Sequence, residues 1–83
     1  MDEQVCAEAA GGGHLELLKW AREHGCAWSQ ATPAAAAEGG YVEPLEWALD
    51  RGCPWDPTQC LLAAYRAGHA HVLKWISDRC ERG

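Results

Sequence analysis

The chain is poor in basic residues and has no long apolar run, which argues against two broad classes of function. Seven Lys and Arg face twelve acids, a formal net charge of −5, and the seven are scattered rather than gathered in a stripe. That balance argues against a nucleic-acid backbone or an anionic membrane surface as partner. No uninterrupted apolar stretch approaches about 18 residues, and no basic n-region leads into an apolar h-region. Neither a membrane span nor a secretory leader is expected. The five cysteines are an odd number without export signals, which fits thiols in a reducing compartment and a cytoplasmic, intracellular location.

What is present is a short chain of 83 residues, enough for one domain over 1–83 with a small core. Nearly half of it is apolar, but much of that is alanine, which buries little area per residue. The chain also recurs. "GHLELLKW" (13–20), "GYVEPLEW" (40–47) and "GHAHVLKW" (68–75) repeat at a spacing of 27 and then 28 residues. A small-residue run precedes each block: "CAEAAGG", "PAAAAEG" and "CLLAAYRA". "AREHGC", "ALDRGC" and "ISDRCE" follow. Three units of about 3–29, 30–56 and 57–83 result.

Each unit reads as two helices. The first is short and alanine-rich and ends at glycine; in the second unit Thr32 is expected to cap it, with Pro33 at the first helical position. Gly13, Gly40 and Gly68 are expected at positive φ between the helices. The second helices are predicted over 15–24, 42–51 and 70–79. In the first of these, Leu15, Leu18 and Ala21, with Leu17 and Trp20 alongside, make an apolar face. Lys19 and Glu23 are spaced to pair on the opposite side. Trp20, Trp47 and Trp75 occupy the same phase and are expected to be structural. At the two ends, Val5, Ala7 and Ala10 and then Val72 and Ile76 are expected to be uncovered.

Two pentapeptides, "GCAWS" and "GCPWD", close the first and second units. Cys26 and Cys53 read as small buried thiols, since unpaired cysteine behaves as a small hydrophobe, and Trp28 and Trp55 read as wedges between units. The rival is a zinc site among His24, Cys26, Cys53, Cys60, His69, His71 and Cys80, but no recognised Cys/His ligand spacing is present. "GGG" at 11–13 has neither a preceding strand nor a following Lys-Ser/Thr, so it reads as a helix terminator rather than a phosphate loop. Glu16, Glu43, Glu46 and Asp50 recur on an outer helix face and read as a solvated surface. No nucleophile lies beside a base in a cleft, so neither catalysis nor a cofactor is expected.

"TPAAAAEGGYVEPLEWALDRGC" and "AAGGGHLELLKWAREHGC" resemble the ankyrin repeat pattern, most specifically in the GHLE start of the second helix and the closing glycine. The usual period of about 33 residues is shortened here, mostly between Ser29 and Thr32, where the family forms its projecting β-hairpin. The chain is thus similar to a short Cys- and Trp-rich variant found in arrays in protists, algae and their large DNA viruses, a host cell being its location if viral. The resemblance implies an all-α solenoid of three helix–loop–helix ankyrin-like units with little or no β-hairpin. It implies a protein–protein interaction module whose partner meets the turn tips and the end of the first helix. Carried over by position, the contact residues are Ser29, Gln30, Glu38, Asp56, Thr58 and Arg66. A homodimer formed through the uncovered ends is the second reading, and a Cys/His metal-binding module the third.

Overall fold

The structure, a computed structural model, describes the backbone of residues 3–82 and the side chains of 4–80. Six helices follow one another: α1 (Glu3–Gly11), α2 (Leu15–Glu23), α3 (Ala31–Gly39), α4 (Val42–Asp50), α5 (Pro57–Ala67) and α6 (Ala70–Arg82). No strand occurs among the described residues. The chain is all-helical, and the helices come in pairs. Helices α1, α3 and α5 pack side by side, while α2, α4 and α6 each pack on the helix before them.

The turn within each pair has one chemistry. Gly13, Gly40 and Gly68 take φ of 75°, 81° and 79°, a left-handed conformation that costs glycine little. The next residue then closes a bond back to the helix: His14 N–H to Ala9 O at 2.8 Å, Tyr41 N–H to Ala36 O at 3.0 Å and His69 N–H to Ala64 O at 2.9 Å. This spacing satisfies carbonyls that a helix end would leave without partners. Glycine is also required by the neighbouring pair. A Cβ on Gly13 would lie 2.7 Å from the Tyr41 ring, and one on Gly40 would lie 2.7 Å from the His69 ring. The ring that opens α4 or α6 therefore rests on the turn of the preceding pair.

The core is built from small residues in α1, α3 and α5 and larger ones in the second helices. Cys6, Ala9, Ala10, Ala36, Ala37, Cys60 and Ala64 are buried with Leu18, Leu45, Val72 and Ile76. The alanines bury little area each, but they let helices approach closely enough for continuous contact. Gly11 and Gly39 extend that approach: a Cβ on Gly39 would collide with the Gly11 carbonyl.

Several expectations are corrected. Thr32 does not cap α3, because the helix begins at Ala31. The Ser29 hydroxyl accepts from Ala31 N–H at 3.2 Å and the Ser29 carbonyl accepts from Thr32 N–H at 3.0 Å. Thr32 and Pro33 consequently lie inside the first turn, both buried. Lys19 pairs with Glu16 at 3.8 Å rather than with Glu23. Ala10, Val72 and Ile76 are not uncovered but fully buried. The apolar groups that do face solvent are different ones. Leu17 is 45 % exposed and Trp20 47 %, so Trp20 is not buried as its two counterparts partly are, and Tyr65 on α5 is 73 % exposed. The last helix also runs past residue 79, since no glycine interrupts "ISDRCER".

Candidate functional site

Two grooves and one pair of thiols hold most of the chemistry. The first groove lies between α3 and α5 and has a volume of about 370 Å³. Ala34, Leu62 and Ala63 line it together with Glu38, Gln59 and Arg66. Its position follows from the sequence: residues 34 and 38, and 59, 62, 63 and 66, each recur at helical spacing on facing sides of two packed helices. Glu38 and Arg66 bring opposite charges to an apolar surface made of small side chains and one exposed leucine.

Of the six residues carried over from the ankyrin pattern, this groove gathers Glu38 and Arg66. The other four sit at helix starts. Asp56 is the N-cap of α5, its carboxylate accepting from Thr58 N–H at 3.0 Å and Gln59 N–H at 3.5 Å, with Pro57 in the first turn. Ser29 plays a similar part ahead of α3, and Gln30 stands at that helix's N-cap position without a side-chain capping bond. The Ser29 and Asp56 side chains are engaged in backbone satisfaction, which the repeat pattern alone could not separate from recognition. Gln59 and Leu62 are the groove residues that sequence reasoning missed. Their signal was present, since both lie on the side of α5 that carries Arg66.

The second groove lies between α2 and α4, with a volume of about 420 Å³, lined by Lys19, Arg22, Glu23, Trp28, Trp47 and Arg51. Trp28 and Trp47 meet edge to face with ring centroids 5.8 Å apart, a favoured aromatic geometry. The Arg22 guanidinium sits 4.0 Å over the Trp28 ring and that of Arg51 sits 5.3 Å over Trp47. At these distances each cation is attracted by the ring face beneath it. Arg22 also donates to the Cys26 carbonyl, which fixes the loop after α2. In the last pair Arg79 lies 5.2 Å over Trp75 and bridges to Asp50 at 3.2 Å. The Trp residues of "GCAWS" and "GCPWD" are half-buried and pack against the core, as the wedge reading expects.

The thiols are the least expected feature. Cys6, Cys26, Cys53 and Cys60 are buried and Cys80 is exposed. Cys6 Sγ lies 3.0 Å from Cys26 Sγ, although 20 residues separate them in sequence. Cys53 Sγ is 3.5 Å from the Ser29 carbonyl oxygen, across the boundary between two pairs. Burial pushes the Cys6 thiol up to about 12, helped by its hydrogen bond with Cys26. Burial likewise raises Cys53 to about 11, and burial with the nearby Asp56 carboxylate raises Cys60 to about 12. These three are protonated at neutral pH and are neither nucleophiles nor metal ligands in that state. Among the described residues no three His, Cys, Asp or Glu side chains converge on a site that could hold a metal. No described helix is long and apolar enough to cross a membrane.

No family model matches the chain, and neither do any curated protein or solved structure.

Proposed function

We propose that the chain is a solenoid of three short ankyrin-like helix pairs that binds another protein and carries no catalysis of its own. The observation that carries this reading is the groove between α3 and α5, where Glu38 and Arg66 accompany an apolar surface of Ala34, Leu62 and Ala63. Stacked helix pairs offer extended faces of this kind, and a segment bringing one apolar side chain with flanking charges of both signs would fit it. The recurring turn, in which each ring rests on the previous glycine, supports the repeat reading.

The test is a charge exchange, Glu38→Arg with Arg66→Glu, which keeps net charge and helix propensity nearly unchanged. A partner captured by the natural chain and then purified should lose affinity for the exchanged protein by tenfold or more, roughly 1.4 kcal/mol, with helicity intact. Equal affinity would remove the groove as the contact surface.

Self-association is a second reading, favoured by the adjacent exposed Leu17 and Trp20 on α2. A closed two-fold pair covering that face on both copies avoids an open fibre. Light scattering at tens of micromolar should then give twice the chain mass for the natural protein and the chain mass for Trp20→Glu. Monomer mass in both would leave a self-sufficient binding module.

A further inference from the structure

We infer that Cys6 and Cys26 are a disulfide-forming site that staples α1 to the loop after α2 under oxidising conditions. The two sulfurs already stand 3.0 Å apart inside the core, about 1 Å more than the bond of about 2.05 Å requires. The backbone on one side is fixed: Cys26 N–H donates to Ala21 O at 2.9 Å and the Cys26 carbonyl accepts from Arg22. On the other side Cys6 stands inside α1, whose place is set by packing on α2 and α3.

The other cysteines lack this arrangement. Cys53 Sγ is directed to the carbonyls of Ser29 and Pro54, and Cys80 is exposed on α6. The proposed link is one of the ten pairings that five cysteines allow. It is also guarded. Neither sulfur has accessible surface, and burial keeps the Cys6 proton in place at neutral pH, so an oxidant reaches the pair only when the fold opens locally around it.

The oxidant class is a small-molecule disulfide. With the site open, one cysteine loses its proton and attacks the small disulfide, forming a mixed disulfide and expelling one small thiolate. The second cysteine, deprotonated in turn, attacks the first cysteine's sulfur and expels the other thiolate. The two protein thiols give up two protons and two electrons, and the small disulfide becomes two small thiols. When the site closes again, the bond joins α1 to the loop after α2 and holds the first helix pair closed.

The experiment uses the full chain with Cys80→Ser, which removes the exposed thiol and intermolecular linkage. The protein is incubated with oxidised glutathione, alkylated, and read by intact mass, peptide mapping and thermal melting. The expected result is loss of the mass of two hydrogen atoms, a single cross-linked peptide joining Cys6 and Cys26, and full reversal by a reducing dithiol. Closing a loop of this length should raise the melting temperature by on the order of 10 °C. Low denaturant, which favours local opening, should speed the reaction. A stable glutathione adduct without closure would overturn the proposal. So would a link involving Cys53 or Cys60, a lowered melting temperature, or a natural fold that stays reduced while the unfolded chain oxidises. Mapping needs no variant at Cys6 or Cys26, so the outcome does not depend on whether such a variant folds.

Discussion

The outer face of α2 and the corresponding face of α4 and α6 carry equivalent residues in different surroundings. Leu17, Pro44 and Val72 share one position of the recurring block, and Trp20, Trp47 and Trp75 share another. Pro44 and Val72 are buried and Trp47 and Trp75 are partly covered, whereas Leu17 and Trp20 stand 45 % and 47 % exposed. Trp47 packs edge to face on Trp28 of the preceding pair. No described residue plays that part for Trp20, whose ring instead stacks on His24 of its own helix at 4.2 Å. At Trp47 part of that cover comes from the preceding helix pair, through Trp28. One sequence pattern yields two energetic roles.

The largest expected effects lie at the position that is fully buried in both α2 and α4. Leu18 and Leu45 are both fully buried, so alanine at either should cost about 2–5 kcal/mol. Leu17→Ala, one position away, should cost under about 0.5 kcal/mol, as for surface changes generally. Urea unfolding of the three variants separates the two faces of α2. A Leu17 effect as large as that of Leu18 would mean that its face is covered in solution.

The thiols give a pH dependence that runs in one direction. Cys6, Cys53 and Cys60 are raised from an ordinary value of 9.0 to between about 11 and about 12. The folded state therefore keeps protons that the unfolded chain releases first. Stability from this source is complete below pH 9 and falls as pH rises toward 11–12. Melting temperature should decline steadily through that window for the natural chain. Cys53→Ala and Cys60→Ala should lessen the slope, and an unchanged slope in both would show that the thiols are not its origin.

Smaller effects concern how the second and third pairs begin. Asp56→Ala removes the α5 cap and should cost about 0.5–2 kcal/mol. The Thr32 hydroxyl, at the start of α3, is buried without a hydrogen-bond partner. Thr32→Val keeps the shape and removes that polar group, so it should stabilise by roughly 1 kcal/mol. Denaturant midpoints of the two variants should move in opposite directions. A destabilised Thr32→Val would imply an internal water bonded to the hydroxyl.

Helix placement was legible in the sequence because glycine marks the turns: Gly13, Gly25, Gly40, Gly52 and Gly68 all take positive φ. The predicted second helices agree with α2 and α4 to within one residue at either end. The α3 start was misread because Thr32-Pro33 has capping chemistry, while Ser29 three residues earlier already satisfies the first N–H groups. The difference between Trp20 and Trp47 was illegible from periodicity, which fixes a residue's phase on its helix but not what faces it. The Cys6–Cys26 approach was hidden for a related reason. It joins a helix interior to a loop 20 residues away, and only the packing of α1 brings them together. Glu38 and Arg66 were found through the family pattern, and Gln59 and Leu62 were missed because that pattern points to turn tips rather than to the length of α5.

The measurement that bears most directly on the account is hydroxyl-radical footprinting of the natural chain, resolved peptide by peptide at low concentration. Trp20, Trp47 and Trp75 share one position of a recurring block, yet Trp20 is exposed and the other two are partly buried. Trp20 should be oxidised clearly faster than Trp47 and Trp75, whose rates should be similar. Equal rates at all three would contradict the unequal cover of this one repeated position.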